Sequence, residues 1–169
     1  MVTTGQVMKA ANLLALVVMV ALCAACGPHQ VKGQPPFVSI TSIAVDGDRL
    51  AATFNVRNIN DVPMDIDAVD ITIRIGTAEL TRHQGALMLS VDPNTTEEVA
   101  VEKLPDEFSR DLLGTLQSGE VKSLPFFLEG RIHTSVDGFM PFRHEGHLYP
   151  VPGRPGHFRS ASSRTRERD

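Results

Sequence analysis

Apolar and polar residues alternate through most of residues 37–151, which predicts a protein built mainly of β-strands. The clearest case is Leu50, Ala52, Phe54 and Val56, which alternate with more polar neighbours as on a strand with one buried face. Predicted strands cover 37–45, 50–57, 64–75, 86–91, 98–104, 126–134 and 140–151. Turn residues separate them, above all Asp46-Gly47-Asp48, Asp92-Pro93-Asn94 and the Asp137-Gly138 pair. The pattern indicates successive antiparallel strands.

Two departures from this alternation are informative. In the strand 64–75 the apolar positions slip by one residue at Ala68-Val69, which predicts a β-bulge or a bend. After Pro105 the apolar period changes to about 3.6, so one amphipathic helix is expected before a stop at Gly119. Its predicted buried face consists of Phe108, Leu112, Leu113 and Leu116.

The chain begins with a segment typical of a signal peptide. Ten apolar residues run from Leu13 to Leu22, about half of what a membrane-spanning helix needs. Residues 22–27, LCAACG, resemble the lipobox of bacterial lipoproteins, in which the cysteine becomes the lipidated first residue of the mature chain. We therefore expect a signal peptide at 1–25 and lipidation of Cys26, with translation starting at Met8. An uncleaved anchor and an ordinary secretory signal are the alternatives.

Lipidation would make the membrane a partner of the mature protein. By analogy with Gram-negative lipoproteins, Gly27 after the cysteine implies the cell envelope, at the outer membrane and facing the periplasm. Residues 26–36 contain glycines and prolines but no apolar period, so they are predicted to be a flexible tether. The domain is predicted at 37–152, followed by a disordered basic tail at 153–169.

Charge and composition limit the chemistry. Between Pro35 and Pro152 there are nine Lys or Arg against eighteen Asp or Glu, a surface that repels nucleic acid. No nucleophile elbow, phosphate loop or carboxylate pair stands out, so neither an enzyme nor a cofactor is expected.

Two clusters invite a metal interpretation that their spacing does not favour. His144-Glu145-Gly146-His147 has its histidines three apart on a strand, where they point to opposite sides, so both are expected at the surface or a sheet edge. Asp65, Asp67 and Asp70 lack the loop of a calcium site and predict a solvated acidic face. No metal site is therefore expected.

Three stretches together resemble a known family. They are FNVRNINDVPMDIDAVDITIRIG (54–76), LPDEFSRDLLGTLQSG (104–119) and FFLEGRIHTSVDGFMPFRHEGHLYPV (126–151). Their order is similar to that of the late-embryogenesis-abundant group 2 family, also called the WHy (water stress and hypersensitive response) domain. The family loop Asn-Pro-Asn corresponds here to Asn58-Ile59-Asn60.

The resemblance implies an antiparallel β-sandwich of immunoglobulin or fibronectin III type with one added α-helix. It also implies a protective role against drying, freezing and heat, without catalysis or cofactor, with stressed client proteins as partners. The alternative is a binding module for a lipid, another apolar ligand or a protein of the envelope, with an apolar groove between helix and sheet. A binding module needs a cavity, whereas a protective surface does not.

Overall fold

A computed structural model describes residues 30–76, 78–103 and 107–162 and confirms a mostly β, antiparallel protein with one helix. The predicted signal peptide, Cys26 and the last seven residues lie outside these ranges. Within the ranges, no helix has the length and apolar character needed to cross a bilayer.

The described residues form eight strands and a helix. The strands are β1 Phe37–Asp46, β2 Arg49–Arg57, β3 Met64–Ile75, β4 Ala78–Val91, β5 Thr96–Lys103, β6 Leu124–Thr134, β7 Gly138–Pro150 and β8 His157–Ser162. Helix α1 spans Glu107–Ser118, between β5 and β6. All strands belong to one antiparallel sheet in the order β4-β3-β6-β7-β8-β1-β2-β5. The two edge strands, β4 and β5, approach each other, so the sheet curves around a single core.

The bulge predicted in the third strand is confirmed. The register of β3 shifts between Ile66 and Ala68 against both of its neighbours, β4 and β6. Because of this extra residue, Ile66 and Val69 are both buried although they are three positions apart. The shift keeps both apolar halves of the strand in the core.

Two strand glycines make room for aromatic rings in the core. Gly130 on β6 pairs with Phe142 on β7, and a Cβ at Gly130 would lie 2.6 Å from the ring. Gly146 on β7 pairs with Phe126 on β6, where a Cβ would lie 2.7 Å from the ring. In each pair the ring packs against the sheet where the partner lacks a side chain.

The predicted buried face of the helix is partly wrong. Phe108 is 57% exposed, and the buried residues of α1 are Ser109, Leu113 and Leu116. Ser109 Oγ donates to the carbonyl of Leu80, 3.1 Å away, which attaches the first turn to β4. A polar residue therefore occupies the position that the apolar pattern assigned to Phe108.

The prediction of a disordered tail from residue 153 is wrong for residues 157–162. They form β8, which pairs with β7 and with β1, and Phe158 is buried in the core. β4 is also longer than predicted, because the mostly polar residues 78–85 belong to an edge strand with one open side. Of the two strands, β8 depends on a distant partner, because β1 lies more than 100 residues earlier in the chain.

The helix face gives a direct test of packing. Leu113→Ala is expected to lower the free energy of unfolding by about 2–5 kcal/mol, because it removes a buried side chain. Phe108→Ala, five residues earlier on the exposed side, is the matched control and is expected to change it by less than about 1 kcal/mol. Denaturant unfolding checks both; equal losses would contradict this orientation of α1.

Candidate functional site

The family-like loop after β2 is organised by one buried amide. Asn58 is fully buried, and its Nδ2 donates to the carbonyl oxygens of Val62 at 2.8 Å, Val91 at 3.1 Å and Asp92 at 3.3 Å. Its Oδ1 accepts from the backbone N of Asn60 at 2.9 Å. The side chain thus joins its own loop to the turn between β4 and β5.

The second asparagine of the motif reaches the segment that precedes the domain. Asn60 Oδ1 accepts from the backbone N of Gln34 at 2.8 Å, and its Nδ2 donates to the Gln34 carbonyl at 2.9 Å. Val31 and Asp61 add a second reciprocal pair: Val31 N donates to Asp61 Oδ2 at 2.8 Å, and Asp61 N donates to the Val31 carbonyl at 2.9 Å. The last part of the predicted tether is therefore fixed to the domain from Val31 onward.

These contacts define one end of the domain, which we call the N-terminal pole. It consists of residues 31–36, 58–63, 92–95 and 135–137. Asn94, with φ 58°, donates from Nδ2 to Asp61 Oδ1 at 3.1 Å and from its backbone N to the Asn60 carbonyl. Gly33 lies beside the loop 135–137, because a Cβ at Gly33 would be 3.4 Å from Asp137 Oδ1.

Sequence reasoning found Asn58 and Asn60 and identified Asn94 only as a turn residue, and it missed Asp61 and the segment 31–34. Asn94 carried a usable signal, because asparagine is enriched among residues with positive φ and stands directly after Asp92-Pro93. Nothing in the sequence connects Val31 with Asp61, thirty residues away.

The prediction of an acidic strand face at Asp65, Asp67 and Asp70 is wrong in one respect, because basic side chains lie among these carboxylates. Asp70 lies between Arg82, at 3.2 Å, and Arg131, at 3.7 Å. Other pairs extend this outer face of β3, β4, β6 and β7: Arg74–Glu129, Arg143–Glu145 and His133–Asp67. The four strands carry four arginines and six carboxylates, so their charges nearly balance.

A groove of about 310 Å³ opens on this outer face near the bulge. Ala68, Val69 and Gly85 line its floor, and Arg131, His133 and Phe139 stand among its walls. The Arg131 guanidinium lies 5.1 Å from the centre of the Phe139 ring, and His133 packs edge-on against the same ring. These two contacts hold the exposed Phe139 ring in place.

The interior of the sheet is filled. The apolar space lined by Phe54, Ile66, Leu87, Val99 and Phe142 retains only about 10 Å³, room for at most one water molecule. A second apolar groove, of about 240 Å³, lies between α1 and Val45, Gly156 and Phe158. The binding alternative placed its groove between helix and sheet, which is where this one lies.

His144 does not lie at the surface as predicted. It is buried on the inner side of β7, packs against Phe37 and Phe126, and its Nε2 lies 3.0 Å from Ser162 Oγ. Burial lowers the pKa of His144, and the nearby Glu145 opposes this shift without cancelling it. His147 lies on the other side of the strand, as the alternation predicts. Among the described residues, no group of three or more His, Cys, Asp or Glu is placed to hold a metal ion.

Removing the Asn58 amide should weaken the whole N-terminal pole. We expect Asn58→Ala to lower the free energy of unfolding by about 2–3 kcal/mol or more, because buried carbonyl groups lose their donor. Ile59→Ala, at the half-exposed position between the two asparagines, is the matched control and should cost less than about 1 kcal/mol. Thermal or denaturant unfolding compares the two, and similar losses would show that the amide is not essential.

His144 should make stability depend on pH. Since its pKa in the folded state is below that in the unfolded state, the unfolded chain binds the proton more readily and stability falls as pH drops below about 6.5. We expect His144→Phe to flatten the fall in melting temperature between about pH 7.5 and about pH 5. His147→Phe, on the outward side of the same strand, should keep the wild-type fall, and an unchanged slope in His144→Phe would refute the assignment.

Comparisons with known proteins leave the family open. No protein-family model matches the chain, and no curated protein matches it. Among solved structures, a protein from Archaeoglobus fulgidus is 16% identical over 73% of this chain and 98% of its own, with a TM-score of 0.45. The Northeast Structural Genomics Consortium target SoR45 is 10% identical over 73% of this chain and 92% of its own, also at 0.45. OgpA from Akkermansia muciniphila is 13% identical over 70% of this chain and 29% of its own, at 0.34.

Proposed function

We propose that this protein is a non-catalytic protective domain of the late-embryogenesis-abundant group 2 (WHy) type, held in the cell envelope by a lipid on Cys26. It would keep stressed proteins apart through a hydrated acidic surface. We further propose the outer membrane, facing the periplasm, as its location.

The strand order supports an immunoglobulin or fibronectin III-like sandwich. On either side of β8 the sheet divides into β1-β2-β5 and β4-β3-β6-β7. In immunoglobulin-type lettering these correspond to the groups A-B-E and C′-C-F-G of a sandwich. β8 would then be an added strand that joins the two groups along one side.

The protective proposal rests mainly on one observation. Most of the negative charge lies away from the outer face of β3, β4, β6 and β7, where acidic and basic side chains form ion pairs. Strands β3, β4, β6 and β7 account for four of the nine Lys or Arg between Pro35 and Pro152, and for six of the eighteen carboxylates. The remaining body carries five basic residues against twelve carboxylates. A surface with this imbalance repels other acidic proteins at a range set by salt screening.

The decisive test reverses charge without touching the core. Glu97, Glu98, Asp111 and Glu120 are exposed, and we would replace all four with Lys. This folded variant is expected to lose most of its ability to suppress aggregation of a heat- or freeze-stressed client at low salt. Wild-type protection should fall as salt rises, because the screening length shrinks to about 10 Å at 0.1 M.

The matched control swaps the two members of one ion pair on the outer face of β7. Arg143→Glu combined with Glu145→Arg keeps the net charge and should retain full protection. Full protection by the four-lysine variant would refute the charge mechanism. Equal loss in both variants would show that the fold, rather than the charge, had been damaged, which unfolding curves would confirm.

The second candidate is a binding module for a small apolar ligand, favoured by the groove beside α1. At about 240 Å³ it is slightly smaller than the ~300–1,000 Å³ of common ligand sites. Gly114, on its exposed rim, allows the test. Saturable binding of a fluorescent fatty acid by the wild type, abolished by Gly114→Phe, would favour this candidate over protection.

A further inference from the structure

The exposed apolar side chains of the domain gather at the N-terminal pole. Eight large apolar side chains are exposed among the described residues. Six lie in the pole or within four residues of it, namely Val31, Phe37, Ile59, Met88, Val136 and Phe139. Phe108 and Phe127 lie toward the other end. Such a grouping marks a surface that meets a partner.

The projecting point of this surface is the loop 135–137 between β6 and β7. Val136 is 87% exposed, and its loop is supported from behind by a hydrogen bond from Asp137 N to Thr134 Oγ1. Gly33, in the segment that leads into the domain, lies against the same loop. The apolar tip and the point where the chain enters the domain are therefore neighbours.

The length of chain before the domain limits where this pole can be. Val31 is fixed to Asp61, and the chain from Cys26 to Val31 has only five Cα–Cα steps. Fully extended, they reach at most about 18 Å. The domain itself is longer, because the eleven residues of β6 alone span roughly 36 Å. If Cys26 carries a lipid, the pole lies near the membrane while α1 lies at the distant end.

We propose that the N-terminal pole is a membrane-contact surface, and that Val136 and its apolar neighbours insert into the interface of the lipid bilayer. This inference rests on the proposed lipidation of Cys26. It gives the domain a fixed orientation, with the groove beside α1 and the acidic residues of that helix directed away from the lipid. The partner is the lipid surface itself.

The charges of the pole indicate an apolar rather than an electrostatic contact. Asp61, Asp92 and Asp137 lie in its loops, while Lys32 is its single Lys or Arg. An excess of carboxylates gains nothing from anionic headgroups, in contrast to the polybasic segments that recognise them. Anionic lipid should therefore not strengthen the contact.

The test measures the depth of single side chains in the lipidated full protein. In the mature chain Cys26 is blocked by lipid, so a cysteine introduced at Val136, Met88 or Phe108 is the one free thiol available for an environment-sensitive fluorophore. All three positions are exposed, so the substitutions should not disturb the core. The labelled proteins are reconstituted into phosphatidylcholine vesicles, with and without phosphatidylglycerol, that carry a quencher in the acyl region.

We expect the probe at Val136 to be blue-shifted and quenched at least about twofold more than the probe at Phe108, with Met88 between them. The ranking should be the same in both lipid mixtures. Equal quenching at Val136 and Phe108 in protein that floats with the vesicles would overturn the contact and leave the anchor intact. Protein that fails to float would overturn the anchor and this inference together.

Discussion

The buried amide of Asn58 is the contact that holds the N-terminal pole together. Loops after neighbouring strands expose carbonyl groups that have no partner within their own sheet, and burying them unpaired costs free energy. Asn58 supplies donors to three such carbonyls and accepts from Asn60, which in turn holds Gln34. One side chain therefore connects β2, β4 and the entering chain. Leucine, which branches at Cγ as asparagine does, could occupy the space but could not satisfy these groups.

The same hydrogen bonds also set the position of the first strand of the sheet. Because the entering chain is fixed from Val31 to Gln34, it begins β1 from a defined position rather than from a loose end. β1 can then pair with β2 along its length and with β8 near its end. The core closes where β8 brings Phe158 between β1 and β7. Because this entry point is rigid, an anchor that precedes it in the chain would restrict the orientation of the domain.

The pairing of the strands, rather than the order of residues along the chain, determines which charged side chains lie next to each other. Asp65, Asp67 and Asp70 read as an acidic stripe along the chain, yet antiparallel pairing sets Arg131 beside Asp70 and His133 near Asp67. Exposed pairs of this kind contribute little to stability, but they remove most of the net charge from one face. What remains is concentrated on β5, the turns and α1. The pairing thus brings one face close to neutral, while most of the carboxylates lie elsewhere in the domain.

The sequence alone determined the elements whose signal is local. Alternation located the strands β1, β2 and β3, the register slip at Ala68-Val69 located the bulge, and Asn94 marked a turn. The Asn58-Ile59-Asn60 motif also stood out along the chain. The tertiary structure decided the rest: that Ser109 rather than Phe108 faces the sheet, that residues 157–162 form a strand, that His144 is buried, and that Val31 binds Asp61. Each of these involves a partner 18 or more residues away, which for residues 157–162 is β1, and periodicity along a single strand or helix cannot register a partner at that distance.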